Sequence, residues 1–234
     1  MKILNIIKNA LKEDNFKVMY NKVAKRVFDK KGLISKEENL KWIESNVINI
    51  EKYILDDEKV LWEESKKETA IIKESGRKKL EKLSIDLGGG GHYPLLYYLV
   101  RKNKPKVIVE TGVAAGFSST AILSAIKKNS YGTLYSSDFP YFRLKSPEKF
   151  IGYIVDEELR ENWELFISSD KNNLPKIIKK IDKIDLFHYD SDKSYGGRYF
   201  ALELLKNYLS KDSVIIMDDI QDNSFFHDHV YNNH

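Results

Sequence analysis

The sequence of 234 residues contains no cysteine. This absence excludes disulfide bonds, thiolate metal sites and a cysteine nucleophile. Apolar residues make up 42% of the chain and charged residues 32%, which is typical of a globular protein with a substantial core. The length fits one large domain, or one domain with a helical extension.

Long hydrophobic runs are also missing. The longest run, Leu95–Val100, is far shorter than the roughly 20 residues that a membrane-spanning helix needs. The apolar residues among the first eleven recur at helical spacing, and Lys8 interrupts them. This pattern predicts an amphipathic helix rather than a signal peptide. We therefore expect a cytoplasmic protein with no membrane partner.

The chain has little excess charge of either sign. The 39 lysines and arginines nearly balance the 35 aspartates and glutamates, which leaves a net charge of +4. A nucleic-acid-binding protein would be expected to concentrate basic residues on one face. The sequence therefore predicts no nucleic-acid partner.

The chain contains two successive regions that differ in composition and in hydrophobic periodicity. Residues 1–87 are rich in lysine and glutamate, and their apolar residues recur every three or four positions, as in helices. Ser35 and Glu38 have the spacing of a capping box, which marks the start of one helix. Four glycines, Gly88–Gly91, then interrupt the helical pattern. We expect an N-terminal helical region over residues 1–87 and a second domain over residues 88–234.

After the four glycines, short β-rich runs alternate with helical segments. This alternation is the signature of a mostly parallel sheet with helices on both faces, so the predicted fold class is α/β, doubly wound. In such sheets ligands bind outside the carboxyl ends of the strands. The predicted strands are Lys106–Glu110, Thr133–Ser137, Leu165–Ser169, Ile184–Asp190 and Ser213–Asp218.

The first predicted strand leads directly into a turn of small residues. Its sequence E-T-G-V-A-A-G contains Glu110, Gly112 and Gly116. Small side chains let the backbone approach a ligand, and the following helix points its amide groups at the same place. A dinucleotide fingerprint from Gly112 would need glycines where Ala114 and Phe117 stand, and a P-loop would need Gly-Lys-Ser/Thr. A tight turn without a ligand is the alternative.

Aspartates stand at the ends of the second and third predicted strands. Asp138 follows the second strand, where a carboxylate can accept hydrogen bonds from both hydroxyls of a ribose. Asp170 follows Ser168 and Ser169, and such residues are also common at helix caps. An ordinary loop role is the open alternative for both aspartates.

Four aspartates follow the fourth and fifth strands. Asp190 and Asp192 lie in the stretch D-S-D-K-S-Y, and Asp218 and Asp219 end the fifth strand. If the two strands are neighbours, the four carboxylates converge and repel one another. A hard divalent cation, with Mg²⁺ as the first candidate, would explain such a cluster. The alternative is that one or two of them face solvent and cap helices.

These pieces resemble the class I S-adenosylmethionine (SAM)-dependent methyltransferases, and among them the macrocin- and novobiocin-type sugar O-methyltransferases of the cephalosporin hydroxylase-like group. The resemblance extends over residues 88–225, and the fourth and fifth strands carry its most specific parts. It implies a Rossmann-like methyltransferase fold, SAM and Mg²⁺ as cofactors, and O-methylation of a small hydroxylated acceptor such as a sugar or glycoside.

The resemblance also implies the roles of individual residues. Asp192 would be the catalytic base, and the N-terminal helices would form the contact of a homo-oligomer. The metal ligands would be Asp190, Asp218 and Asp219. The cofactor contacts would come from Glu110, Gly112, Gly116, Ser118, Asp138 and Asp170.

The chain departs from the family pattern in two places. Lys193 stands where these relatives often carry a histidine or an apolar residue, and its ammonium group can pair with the carboxylates in place of a metal. The sequence also stops soon after the fifth strand, so we expect either a chain truncated at its C-terminus or a protein that lacks the last two edge strands of the methyltransferase sheet.

Two other functions compete with O-methylation. Methylation of an amino nitrogen would call for an N-P-P-Y-like tetrapeptide after the fourth strand, where this chain has D-S-D-K. A degenerate methyltransferase fold would act as a binding or assembly module through its N-terminal helices. Such a module has no physical need for clustered carboxylates.

Overall fold

The computed structural model describes residues 2–11, 16, 20, 32–83 and 87–232. Residues 12–15, 17–19, 21–31 and 84–86, which belong to the predicted N-terminal helical region, lie outside this description. The helices are α1 (Lys2–Ala10), α2 (Lys36–Asn46), α3 (Lys59–Glu81), α4 (Tyr93–Asn103), α5 (Phe117–Asn129), α6 (Asp170–Ile177), α7 (Tyr195–Leu205) and α8 (Phe225–Asn232). The strands are β1 (Val107–Thr111), β2 (Thr133–Asp138), β3 (Trp163–Ile167), β4 (Ile184–Tyr189) and β5 (Leu209–Met217).

The strands form one parallel sheet with the order β3-β2-β1-β4-β5. The central strand β1 pairs with β2 on one side and with β4 on the other. The strand order therefore reverses at β1, and folds of this type bind their ligands outside the carboxyl ends of the strands at such a point. In the described part of the chain, β5 forms one edge of the sheet.

Two hydrophobic clusters cover the two faces of the sheet. One contains Ile108 and Leu186 together with residues of α4 and α5, and the other contains Val109 and Phe187 together with residues of α6 and α7. Successive residues of a strand point to opposite faces, which separates the two clusters. Helices on both faces confirm the predicted α/β, doubly wound, Rossmann-like fold. Ile72 of α3 joins the first cluster, so part of the predicted N-terminal region shares the core of the sheet.

Helix α1 lies against the loop that follows β2. The buried Asn9 donates hydrogen bonds to the backbone oxygens of Phe142, at 3.0 Å, and Leu144, at 2.8 Å. Leu4 and Ile7 are largely exposed. Within the described ranges, no helix combines the length and the apolar content that crossing a membrane requires.

Helix α2 packs against the loop that follows β5. It begins with the predicted capping box, in which Ser35 and Glu38 each bond the other's backbone. The side-chain amide of the fully buried Asn39 donates hydrogen bonds of 3.1 Å to the backbone oxygens of Ile220 and Asn223. A helix near the N-terminus therefore braces the turn that directly follows the two aspartates of β5.

We expect the Asn39→Ala substitution to lower the free energy of unfolding by about 1–3 kcal/mol, because two buried carbonyl groups lose their donor. The matched control is Asn46→Ala in the same helix, which removes an exposed side chain that bonds Trp42 and Ser45 locally. The control is expected to stay within about 0.5 kcal/mol of the wild type. Urea denaturation measures both values, and equal losses would contradict the bracing role of Asn39.

Candidate active site

The turn after β1 lies in contact with the loop after β4. Gly112 has a φ of +86°, and its amide donates a hydrogen bond of 2.9 Å to the backbone oxygen of Ser137. A Cβ atom at Gly112 would stand 2.0 Å from the backbone oxygen of Asp190. Only glycine fits here, because the chain passes so close and φ is positive. The turn and the Asp190 loop therefore form adjoining walls of one site.

The other glycine of the turn meets the long loop between β2 and β3. Gly116 has a φ of +99°, and a Cβ atom there would stand 2.8 Å from Val155 and 2.9 Å from Gly152. The amide of Gly152 also donates a hydrogen bond of 2.9 Å to the backbone oxygen of Ala114. The segment around residues 152–155 thus covers one side of the turn.

Glu110 and Ser118 lie inside the protein beneath the turn. The carboxylate of Glu110 is fully buried and accepts hydrogen bonds from the hydroxyls of Ser118 and Ser119, both at 2.6 Å, and of Ser136, at 2.7 Å. A buried carboxylate needs such partners because it has lost its hydration. The bonds tie the start of α5 to β1 and β2. The predicted cofactor contacts of Glu110 and Ser118 remain predictions.

His188 links the buried Glu110 to the aspartates at the sheet edge. Its Nδ1 lies 3.7 Å from Oε1 of Glu110, and its Nε2 lies 3.4 Å from Oδ2 of Asp218. Burial alone would lower the pKa of His188, but its contacts with Asp218 and Glu110 outweigh that effect and raise the pKa to about 9. The imidazole is therefore a cation at neutral pH.

Sequence analysis did not single out His188. The available signal was its register: in the parallel pair of β1 and β4, Glu110 stands opposite His188. Two ionisable residues that face each other in adjoining buried strands indicate a buried ion pair once the strand order is known.

Asp138 and Asp170 lie at the carboxyl ends of β2 and β3, as predicted. One oxygen of Asp138 accepts a hydrogen bond of 2.7 Å from the amide of Ala114, which fastens the end of β2 to the glycine turn. Asp170 accepts hydrogen bonds from the hydroxyl of Ser137, at 2.7 Å, and from that of Ser191, at 2.5 Å. The two aspartates therefore join the loops at the carboxyl ends of the strands.

Asp190, Asp218 and Asp219 converge because β4 and β5 are neighbours. The amide of Asp218 donates a hydrogen bond of 3.0 Å to the backbone oxygen of Tyr189, which aligns the two strand ends. Burial, together with the nearby charge of Asp218, raises the pKa of Asp190 to about 6. Burial, together with the charges of Asp190 and Asp218, also raises the pKa of Tyr93.

Lys193 enters this cluster from the loop after β4. Its ammonium nitrogen forms a short hydrogen bond with Oδ2 of Asp219 and lies 3.8 Å from Oδ1 of Asp190. Burial opposes ionisation of Asp219, but Lys193 and Gln221 outweigh it and lower the pKa of that carboxyl. A positively charged side chain thus stands among the predicted metal ligands.

Asp192, the predicted base, belongs to the start of α7. Its Oδ1 accepts hydrogen bonds from the amide of Ser194, at 3.2 Å, and from the hydroxyl of Ser194, at 2.7 Å. A Cβ atom at Gly197 would stand 2.4 Å from the carboxyl carbon of Asp192. The carboxylate of Asp192 is therefore in contact with the start of α7.

The donor set does not fit the predicted Mg²⁺ ion. Among the residues that the structure describes, no group of three or more histidine, aspartate or glutamate side chains could hold a metal ion. Lys193 bonds Asp219, and His188 lies beside Asp218. The expectation of Mg²⁺ as a cofactor therefore finds no support in this arrangement, because each of these two carboxylates already has a cationic partner.

Comparison with known proteins agrees with this architecture. Residues 109–220 match a family model described as a methyltransferase domain. No curated protein sequence matches the chain.

Solved methyltransferase structures share the fold. The O-methyltransferase TomG from Streptomyces achromogenes, in complex with SAM, is 17% identical, with a TM-score of 0.51 over 70% of each chain. The O-methyltransferase from Bacillus cereus, in complex with S-adenosylhomocysteine (SAH), is 18% identical, with a TM-score of 0.50 over 63% of this chain and 66% of that one. A methyltransferase from Geobacter sulfurreducens is 21% identical, with a TM-score of 0.50 over 67% of this chain and 77% of that one.

The family match begins within β1 and extends past the end of β5, and the likeness to solved structures extends the agreement to the fold. The prediction of a SAM-dependent methyltransferase is confirmed at the level of domain and fold. Residues 109–220 of this chain match a methyltransferase domain, and the chain shares the fold of O-methyltransferases solved with SAM and SAH.

Proposed function

We propose that this protein transfers the methyl group of SAM to a hydroxyl oxygen of a small acceptor. The observation that carries the proposal is the placement of the ends of β2 and β4 beside one glycine turn. Asp138 bonds the amide of Ala114, and the backbone of Asp190 lies against Gly112. The O-methyltransferases from Streptomyces achromogenes and Bacillus cereus, which share the fold, support oxygen as the acceptor atom.

The cofactor would lie across the carboxyl ends of β1, β2 and β3. Each carboxylate oxygen can accept two hydrogen bonds, so Asp138 can hold both the turn and a ribose diol. Gly112 and Gly116 would let the methionine part approach the backbone, and Asp170 would lie near the adenine. Glu110 and Ser118 would support this surface from below, because both are enclosed by the protein.

We propose Asp190, and not Asp192, as the group that accepts the proton of the acceptor hydroxyl. The backbone of Asp190 lies against Gly112 of the glycine turn, whereas the carboxylate of Asp192 bonds Ser194, which precedes α7. The raised pKa of Asp190, about 6, also suits a base that works near neutral pH.

For methyl transfer, the protein has to align the acceptor oxygen with the methyl group and remove the proton of the acceptor hydroxyl. SAM supplies a methyl group that its sulfonium already activates. Holding the acceptor oxygen about 3–3.5 Å from that methyl group can contribute on the order of 7–11 kcal/mol.

A sugar or glycoside is the acceptor class we favour. The cytoplasmic location, the lack of a nucleic-acid partner and a homo-oligomer through the N-terminal helices remain predictions.

Calorimetric titration with SAH tests the cofactor site. We expect binding at micromolar concentration, and about 10- to 100-fold weaker binding by the Asp138→Ala variant, because the ribose loses a charged acceptor. The matched control is Asp182→Ala, which removes an exposed aspartate just before β4. This residue lies at the amino ends of the strands, and the proposed site lies at their carboxyl ends. The proposal is wrong if the folded wild type does not bind SAH, and a role as a binding module would then take its place.

A further inference from the structure

We propose that Lys193 is the built-in cation of the carboxylate cluster formed by Asp190, Asp218 and Asp219, and that it takes the place of a divalent metal ion. This inference rests on the proposed function, since it concerns the same site. It assigns Lys193 the role of a positioning residue that holds the cluster together.

The contacts of the ammonium group carry the inference. Its nitrogen bonds Asp219, which follows β5, and lies 3.8 Å from Asp190, which follows β4. One positive charge thus bridges the two strand ends. A metal ion bound by the same carboxylates would have to occupy the same position between them.

Side-chain hydrogen bonds hold the backbone of Lys193 and the backbone of its partner Asp219. The side-chain amide of Asn223 donates a hydrogen bond of 2.8 Å to the backbone oxygen of Lys193. Arg198, which is fully buried, donates hydrogen bonds to the backbone oxygens of Asp218, at 3.1 Å, and Asp219, at 2.7 Å. The backbones of the lysine and of its carboxylate partner are therefore each held by a hydrogen bond that involves neither of their side chains.

The third carboxylate is oriented toward another cation. Oδ2 of Asp218 lies 3.4 Å from Nε2 of the buried His188. Magnesium requires near-octahedral oxygen ligands at about 2.0–2.1 Å. To bind it here, Asp219 would have to give up Lys193 and Asp218 would have to turn from His188, and the ammonium group would then repel the ion at close range.

The experiment is a calorimetric titration of MgCl₂ into the full chain, first without ligand and then with saturating SAH. We expect no saturable Mg²⁺ binding by the wild type below millimolar concentration. The Lys193→Met variant keeps the length of the side chain and removes its charge. We expect it to bind Mg²⁺ on the order of tenfold to a hundredfold more tightly than the wild type, because the repelling charge is gone.

Two further variants control the measurement. Lys211→Met makes the same change of net charge at an exposed position of β5 and is expected to leave Mg²⁺ binding unchanged. Lys193→Arg keeps the positive charge and is expected to behave as the wild type, which also tests the site if Lys193→Met does not fold.

Two results would overturn the inference: micromolar Mg²⁺ binding by the wild type, or Mg²⁺ binding by Lys193→Met no tighter than that by Lys211→Met. The SAH titration is read separately. Loss of SAH binding in the wild type would contradict the proposed function and would leave the comparison of Mg²⁺ affinities valid.

Discussion

Replacement of His188 by leucine is expected to lower the free energy of unfolding by about 3–5 kcal/mol, because it leaves the carboxylate of Glu110 buried without its cationic partner. Both side chains are almost completely enclosed, at 1% and 0% exposure. Burial would raise the pKa of Glu110, but His188, with Ser118 and Ser119, lowers it. The carboxylate therefore stays charged in the interior and depends on the histidine. Urea denaturation at pH 7 measures the loss.

A double-mutant cycle separates the charge effect from the effect of shape. Glu110→Gln keeps the size of the side chain and removes its charge. In that background the His188→Leu substitution is expected to cost much less, because no uncompensated carboxylate remains. An equal cost in both backgrounds would show that packing of the imidazole, and not its charge, supports the fold.

The same ion pair predicts how stability changes with pH. The folded pKa of His188, about 9, lies above the ordinary value of 6.5. A raised folded pKa stabilises the protein fully below the unfolded pKa, and this stabilisation is lost as the pH rises through the folded pKa. The free energy of unfolding should therefore fall by on the order of 1–3 kcal/mol between pH 6.5 and 9.5. The fall should be absent in His188→Leu.

The Asp190→Asn substitution is expected to lower kcat by about 10²- to 10⁴-fold, the usual contribution of a general base. The amide has nearly the shape of the carboxylate but cannot accept the proton of the acceptor hydroxyl. SAH affinity should change little. The assay follows transfer of labelled methyl groups from SAM to a panel of methyl glycosides and phenols.

Asp192→Asn is the matched control, since it makes the same change two residues away. We expect its kcat to stay within about tenfold of the wild type, because the carboxylate of Asp192 bonds Ser194 at the start of α7. Its main effect should be on stability, of the order of 1 kcal/mol, because Ser194, the N-cap of α7, loses a hydrogen-bond partner. If Asp192→Asn loses more activity than Asp190→Asn, the base is Asp192, as the family resemblance implies, and our proposal for Asp190 is wrong.

Most of the fold could be predicted from the sequence, because its signals are local. Alternation of β-rich and helical segments identifies a parallel sheet whatever the order of the strands. The predicted bounds of the strands differ from those in the structure. Strand β3 begins at Trp163, two residues before the predicted strand, because Trp163 pairs with Leu134 of β2. The segment before it, Glu157–Asn162, is a short 3₁₀-helix.

Some features of the candidate site could likewise be predicted from the sequence, and others could not. Acidic residues at the strand ends were visible in the sequence, and their meeting at one edge follows from a parallel sheet. The role of Lys193 was visible only as an alternative to a metal. The pairing of Glu110 with His188 and the turning of Asp192 toward α7 were not visible.

The sequence by itself therefore determined the α/β class, the methyltransferase-like turn and the carboxylates that line the sheet edge. The tertiary structure alone decided which cation each carboxylate meets. The physical reason is distance along the chain. Periodicity and turn chemistry depend on neighbouring residues, whereas the pairs of Lys193 with Asp219 and of His188 with Asp218 join residues 26 and 30 positions apart. Their contacts exist only once β4 and β5 lie side by side in register.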